Sequence, residues 1–162
     1  MVSRIQQEIK QTRPFGSKAQ EATIALMRTA DLVRRAVGDI VEPYGITPQQ
    51  YNVLRILRGA GPGGLPTLEI AERMIEATPG ITRLIDRLET KRLVSRERCH
   101  KDRRRVFCRI TREGLALLKK LDAPIRDADA LALGSLTSNE LKQLVSLLDR
   151  ARSSFQINRR IG

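Results

Sequence analysis

Two arginines one helical turn apart, Arg83 and Arg87, carry the clearest chemistry in this sequence. An arginine side chain can donate two hydrogen bonds to the O6 and N7 atoms of guanine in the major groove of DNA. The apolar residues around them recur with helical spacing and form the opposite face: Ile81, Leu84, Ile85 and Leu88. The pattern predicts an amphipathic helix over 78–92, which is typical of a DNA recognition helix. Taken alone, the stretch favours an ordinary solvated amphipathic helix. The neighbouring segments therefore decide whether it is a DNA recognition helix.

The first turn of this predicted helix offers backbone groups to a phosphate. Thr78 is a capping residue type and Pro79 suits the first helical position. Free N–H groups at a helix start bind anions, and Thr82 is placed to contact a thymine methyl group or a phosphate. The candidate recognition residues are Thr78, Pro79, Gly80, Thr82, Arg83, Asp86 and Arg87. Thr67 caps a short preceding helix and is a further candidate contact to the DNA backbone.

A basic hairpin is predicted directly after the helix. Residues 93–99 and 105–110 both alternate between apolar and polar side chains, and the segment between them is charged, which indicates two strands joined by a basic tip. An arginine at a narrow tip can enter a minor groove, where the negative potential is enhanced. We expect Asp102 to pair with a neighbouring arginine and to fix the shape of the tip. The candidate contacts of the hairpin are Arg98, Lys101, Asp102, Arg103, Arg104 and Arg105.

The charge distribution supports a polyanionic partner. The chain has 30 Lys and Arg against 18 acidic residues, a net charge of +12. Residues 78–112 alone hold 12 basic and 4 acidic residues, so two thirds of the net charge lies in this segment. An evenly basic protein would not concentrate its charge on one helix and one hairpin. Aromatic residues make up only 3% of the chain, which argues against single-strand binding by base stacking.

The elements around this segment predict the fold class. Helices are expected over 18–41, 47–58, 67–74 and from 112 onward, with capping boxes at Thr47 and Thr137. Pro124 is expected to kink or interrupt the long helix, and residues 1–17 to form a loose or partner-docked arm. The expected fold is mainly α with a small β-hairpin wing: a winged helix-turn-helix flanked by N- and C-terminal dimerisation helices.

Three stretches resemble the MarR family of winged helix-turn-helix regulators. They are YGITPQQYNVLRIL at 44–57, ITRLIDRLETKRLV at 81–94 and LVSRERCHKDRRRVFCRITREG at 93–114. The resemblance implies a single domain over 1–162, with dimerisation helices at 18–43 and 112–155 and a DNA-binding lobe at 47–111. One departure is Arg92, where the family usually has glycine, so a backbone penalty is expected there.

The resemblance also implies partners. It predicts a homodimer that binds a palindromic operator in double-stranded DNA, represses transcription, and is released by a small aromatic or phenolic acid. By motif position Arg104 enters the minor groove and Asp102 orients it. A ligand pocket between the dimerisation helices and the DNA-binding lobe would be lined by Met27, Tyr44, Tyr51 and Arg55. Ordinary core packing is the stronger interpretation for each of these four.

Other classes of function are disfavoured but stay as alternatives. A redox response would use Cys99, whose basic neighbours favour the thiolate, whereas Cys108 alternates inward. An effector-independent architectural or RNA-binding module would show weak sequence preference and a steep salt dependence. One histidine and two cysteines form no zinc site, the glycines at 61–64 lack the Lys-Ser/Thr of a P-loop, and no catalytic set stands out, so no enzyme, metal or cofactor is expected. No apolar run spans a bilayer and none forms a signal peptide, so a cytoplasmic location without membrane binding is expected.

Overall fold

The computed structural model describes residues 2–98, 102 and 106–158, with side chains as far as Phe155. It is mainly helical with a small antiparallel sheet, which confirms the predicted fold class. The helices are α1 (Arg4–Glu8), α2 (Lys18–Val41), α3 (Pro48–Ala60), α4 (Thr67–Arg73), α5 (Ile81–Thr90), α6 (Arg112–Leu133) and α7 (Ser138–Asn158), with a single 3-10 turn at Glu42–Tyr44. The strands are β1 (Leu65–Pro66), β2 (Val94–Arg98) and β3 (Val106–Ile110).

The sheet has three strands where the sequence predicted two. Their order is β1-β3-β2, and both pairs are antiparallel, with Leu65 opposite Cys108 and Arg96 opposite Cys108 on the other side. The extra strand β1 lies in the approach to α4. Gly64 makes this approach possible, because its φ is +69° and a Cβ there would lie 2.3 Å from the Cys108 carbonyl oxygen. The wing is therefore joined at its base to the helix-turn-helix.

Both predicted capping boxes are present. At α3 the Thr47 hydroxyl accepts the Gln50 N–H at 3.2 Å, and the Gln50 side chain accepts the Thr47 N–H at 3.0 Å. At α7 Thr137 and Glu140 make the same reciprocal pair at 3.3 and 2.7 Å. Each box satisfies two backbone donors that a helix start leaves without an internal partner. The sequence thus predicted where these two helices begin.

The core of the DNA-binding lobe joins helices to the sheet. Fully buried side chains of this core include Leu57, Ile70, Ile85, Cys108 and Leu118, which come from α3, α4, α5, β3 and α6, and Val41 of α2 and Val94 of β2 join them. Burying one aliphatic side chain of this size contributes roughly 1.5–3 kcal/mol. Since every element of the lobe adds to the same cluster, α5 and the wing share a common support.

The junction between the wing and α6 is closely fitted. The Thr111 hydroxyl accepts the Gly114 N–H at 3.1 Å and donates to the Arg92 carbonyl at 2.7 Å. A Cβ at Gly114 would lie 2.4 Å from the Leu93 carbonyl oxygen, so a larger residue does not fit. The start of α6 is thereby tied to the exit of α5.

The described residues form two compact units, one that ends at Ile125 and one that starts at Arg126. Pro124 was predicted to kink or interrupt the long helix; the interruption is wrong, because α6 continues through Pro124, and the kink stays a prediction. Pro124 removes one intrahelical hydrogen bond, while the buried Leu121 and Ile125 on either side anchor the helix in the core. In the second unit, Val145 of α7 is 58% exposed. The domain limits from the sequence stay a prediction.

The N-terminal segment is more ordered than a loose arm. It contains α1, and the buried Gln6 side chain donates to the carbonyls of Gln11 and Arg13 at 3.2 Å each. Of the two predicted states, the loose arm is wrong for these residues, because local hydrogen bonds fold the segment back on itself; the partner-docked arm stays a prediction. None of the helices in the described ranges is long and apolar enough to cross a membrane.

Candidate nucleic-acid interface

Helix α5 has an apolar back and a polar front, as predicted. Ile85 and Leu88 are fully buried and Leu84 is nearly so, whereas Arg83 and Arg87 are exposed. Within the described part of the chain, no carboxylate forms an ion pair with either of these two arginines. Their guanidinium groups therefore present all their donors to solvent from the front of the helix.

The predicted start of this helix is wrong by three residues. Gly80 has a φ of +94°, a left-handed conformation that an α-helix excludes, and α5 begins at Ile81. The Thr78 hydroxyl donates to the Glu76 carbonyl at 2.9 Å and does not cap the helix. The first amide to bond back into the helix is that of Leu84, to the Gly80 carbonyl at 3.3 Å. The amides of residues 81–83 consequently point out of the helix end.

Helix α3 holds the turn between α4 and α5, a role that the sequence did not reveal. The Asn52 side-chain oxygen accepts the Ile75 N–H at 2.9 Å, and the Gln49 amide donates to the Glu76 carboxylate at 3.4 Å. Both contacts join residues more than twenty positions apart. Patterns of neighbouring residues in the sequence do not predict contacts between such distant positions, so these contacts are seen only in the folded structure.

The wing follows α5 and leads away from the core. Arg98, the last residue of β2, is exposed, and so is Asp102. The other predicted tip contacts, Lys101 and 103–105, lie outside the described residues, as do Cys99 and its neighbour His100. Cys108 is fully buried and free, which confirms that it faces inward.

Arg96 of β2 connects the wing to the recognition helix. Its guanidinium lies 2.6 Å from the Asp86 carboxylate and 3.2 Å from that of Glu89, and it donates to the Thr82 carbonyl at 3.3 Å. Burial alone would lower the pKa of Arg96, but the hydrogen bond to Asp86 and the charges of Asp86 and Glu89 raise it above its ordinary value. Asp86, predicted as a recognition residue, is thus engaged with Arg96. The sequence held one indication of the Arg96–Asp86 pair: Arg96 takes an inward position in a strand whose side chains alternate.

The exit of α5 carries the predicted backbone penalty. Arg92 has a φ of +59°, and Lys10 is the other described non-glycine residue in this region. A side chain in the left-handed conformation costs about 1–2 kcal/mol relative to the right-handed one. The chain thus keeps an arginine where glycine fits the backbone better.

The predicted pocket residues occupy different environments. Tyr51 is buried in the core at 6% exposure, and the Arg55 guanidinium lies 5.9 Å from the centre of its ring. Met27 is 67% exposed and Tyr44 46% exposed. The prediction that Thr67 caps α4 is wrong, because Thr67 is the first residue of the helix and Pro66 takes the N-cap position. The Thr67 hydroxyl instead lies 3.8 Å from the Cys108 sulfur. Over the ranges that the structure describes, no three His, Cys, Asp or Glu side chains cluster as metal ligands.

A helix-turn-helix followed by an antiparallel wing defines a winged helix-turn-helix protein. The sequence model that defines the MarR family matches residues 46–106 of this chain. A MarR transcription factor from Planctomyces limnophilus is 42% identical to this chain, covers 84% of it and 98% of its own length, and superposes with a TM-score of 0.64. The chain therefore belongs to the MarR family of DNA-binding transcriptional regulators, as its motifs predicted.

Two further relatives carry informative names. The homoprotocatechuate degradative operon repressor of Escherichia coli is 28% identical over 127 residues, which are 78% of this chain and 84% of that protein. The structure of Bordetella bronchiseptica BpsR describes regulation of its DNA binding by 6-hydroxynicotinic acid. BpsR is 20% identical, with a TM-score of 0.72 and coverage of 82% of this chain and 98% of its own, and shows the shared fold.

Proposed function

We propose that this protein is a homodimeric repressor that binds a palindromic operator in double-stranded DNA. The observation that carries the proposal is the front of α5, where two exposed arginines without acidic partners among the described residues stand on a fully buried apolar back. This helix enters the major groove, and the wing that follows it enters the adjacent minor groove. The local concentration of basic charge adds the phosphate attraction that such binding needs.

The residues divide into three roles. Arg83 and Arg87 read guanine edges, and Thr82 contacts a thymine methyl group or a phosphate. The phosphate backbone of the DNA is contacted by the turn at Thr78–Gly80, by the outward amides of 81–83 and by Thr67. The wing contributes Arg98, Lys101, Arg103, Arg104 and Arg105, with Arg104 in the minor groove and Asp102 as its orienting partner. Asp86 acts indirectly, since its carboxylate holds Arg96.

The dimer is inferred from apolar side chains that lie exposed on the single chain. On α2 these are Leu26, Met27 and Leu32, and on α7 they are Val145, Leu147 and Phe155, all 48% exposed or more. Large apolar side chains left exposed on a helix are typical of an interaction site. A second copy of the chain presents the same helices and covers them in a two-fold arrangement.

Release by a small aromatic acid is the proposed regulation. It is supported by two relatives, one named for an operon that degrades homoprotocatechuate and one regulated by 6-hydroxynicotinic acid. Arg55 beside the Tyr51 ring offers a cation for a carboxylate next to an aromatic surface, and Met27 and Tyr44 are the other proposed lining residues. The alternatives are an effector-independent protein and a protein that responds to oxidation at Cys99.

The test is a titration of the purified protein with two duplexes of equal length at several salt concentrations. One is the intergenic DNA beside its own gene, and the other has a scrambled sequence. Binding of the first about a thousandfold tighter at moderate salt would support an operator-specific repressor. Arg83→Ala with Arg87→Ala should abolish the difference, whereas the control Arg35→Ala on α2 should retain it. Equal and salt-labile binding to both duplexes would contradict the proposal.

The same complex then tests the regulation. Aromatic acids and mild oxidants are added separately, and release of the labelled operator is measured. Release by an aromatic acid supports the proposed effector class. Release by oxidant that disappears in Cys99→Ser would support the redox alternative, and retention under all conditions would support an effector-independent protein.

A further inference from the structure

An arginine occupies a position of β2 where an apolar residue is expected. Along this strand Val94 is 2% exposed, Ser95 and Glu97 are exposed, and Arg96 lies half-buried on the same side as Val94. Side chains of a strand alternate between the two faces, so Arg96 belongs to the inward-facing set. A charged group in such a position is unfavourable unless it has hydrogen-bonded partners.

Among the described residues, the hydrogen-bonded and ion-paired partners of Arg96 come from α5. They are the carboxylates of Asp86 and Glu89, at 2.6 and 3.2 Å, and the backbone carbonyl of Thr82 at 3.3 Å. These three groups span about two turns along the helix, so one guanidinium fixes both the rotation and the tilt of α5. The rigid planar fork of arginine suits such a three-point contact better than a lysine ammonium does.

We propose that Arg96 is a positioning residue that fixes the recognition helix against the wing. The inference rests on the proposed function, in which α5 and the wing enter adjacent grooves of one duplex. Base reading requires side chains held within about 0.5 Å of their productive geometry. Arg96 holds α5, and with it Arg83 and Arg87, in a fixed position, because it joins α5 directly to β2, the strand that leads to the wing tip.

This role differs from two simpler ones. A phosphate contact would need donors directed at the DNA, whereas those of Arg96 are directed at α5. A purely stabilising pair would act on the unfolding free energy without changing which DNA sequence is bound. The three roles therefore predict different effects on specificity, salt dependence and thermal stability.

The test compares Arg96→Met and Arg96→Lys with the wild type on the operator duplex and the scrambled duplex. We expect Arg96→Met to weaken operator binding roughly tenfold and scrambled binding less than twofold, with the salt slope unchanged. Arg96→Lys should recover part of the loss, since an ammonium still pairs with one carboxylate. Measurements are made well below the thermal midpoint of each variant, so that all are folded.

A matched control and a second variant complete the design. Arg58→Met removes another arginine–carboxylate pair, which joins α3 to α6: Arg58 donates to both oxygens of Asp122 at 2.9 Å. This variant should leave the specificity ratio unchanged. Asp86→Asn with Glu89→Gln should lower the ratio as Arg96→Met does, and the combined variant should be no worse than either.

Each other result overturns the inference. An unchanged ratio with a lower thermal midpoint would mean a merely structural pair. Equal loss on both duplexes, with a salt slope reduced by about one, would mean a phosphate contact. Tighter binding in Asp86→Asn with Glu89→Gln would mean that these acids oppose DNA. A wild type with no operator preference would overturn the proposed function and the inference together.

Discussion

Arginines in this protein differ mainly in what lies around them. Arg83 and Arg87 are exposed on the front of α5, Arg96 is held by two carboxylates, and Arg92 has a left-handed backbone. The residue type alone does not distinguish a base-reading arginine from a structural one. Their surroundings predict different effects of substitution: on DNA specificity at Arg83 and Arg87, on the position of α5 at Arg96, and on stability at Arg92.

We expect Arg83→Ala to relax specificity at one base pair. If Arg83 contacts guanine, its loss costs about 1–3 kcal/mol for the preferred base and little for the other three. The measurement is operator binding with each half-site position substituted in turn. Uniform weakening across all sequences would instead assign Arg83 to a phosphate.

We expect Arg92→Gly to stabilise the protein by about 0.5–1 kcal/mol. Glycine removes the left-handed penalty at φ +59° but loses more backbone entropy on folding, so the net gain is below the full penalty. The Thr111 hydroxyl would keep its bond to the carbonyl of residue 92. Chemical denaturation measures the change.

The neighbouring residue supplies a control for this substitution. Lys91 has an ordinary φ of −81°, so Lys91→Gly should lower the unfolding free energy. If both glycine variants were destabilised, the penalty at Arg92 would be compensated by contacts of its side chain.

At the level of elements, the helices with strong start signals were predicted best. α3 and α7 begin at capping boxes, and α2 has the predicted bounds of 18–41. The start of α5 was misplaced because Thr-Pro resembles a helix start, whereas the glycine after it adopts a left-handed turn. β1 was missed because two residues carry no periodicity, and its partner strand is distant in the sequence.

The turn before α5 gives a test of this correction. Gly80→Ala should destabilise the protein by roughly 1 kcal/mol, because alanine is strained at φ +94° although no atom lies within 4 Å of the added Cβ. If α5 instead began at Thr78, alanine would be favourable at this position. Thermal and chemical unfolding distinguish the two.

Gly59 in α3 is the matched glycine for this experiment. It is also open, with nothing within 4 Å of an added Cβ, but it lies inside a helix without a positive φ. Gly59→Ala should therefore stabilise the protein by about 0.5–1 kcal/mol. Opposite signs at the two glycines would isolate backbone conformation as the cause.

At the scale of the whole molecule, α2 and α7 expose large apolar side chains on the single chain. We expect the protein to sediment with twice the mass of one chain at micromolar concentration. Leu26→Glu on α2 should shift the protein toward the monomer, because the new carboxylate would be buried in the dimer interface.

An exposed residue outside α2 and α7 provides the comparison. Lys91→Glu introduces the same carboxylate at the exit of α5 and should leave the sedimenting mass unchanged. A monomeric wild type, or equal effects of both variants, would remove the support for a dimer built on α2.

The joining of β1 to β3 limits how this regulator can be re-engineered. Leu65 and Cys108, which are distant in the sequence, lie opposite each other in the sheet, and Val94 and Cys108 belong to the central hydrophobic cluster. A chimaera that received the hairpin of another regulator would also exchange part of its own core and the anchor of α4. Operator preference should therefore transfer between relatives when the outward side chains of α5 are exchanged. It should fail to transfer when the whole wing is exchanged.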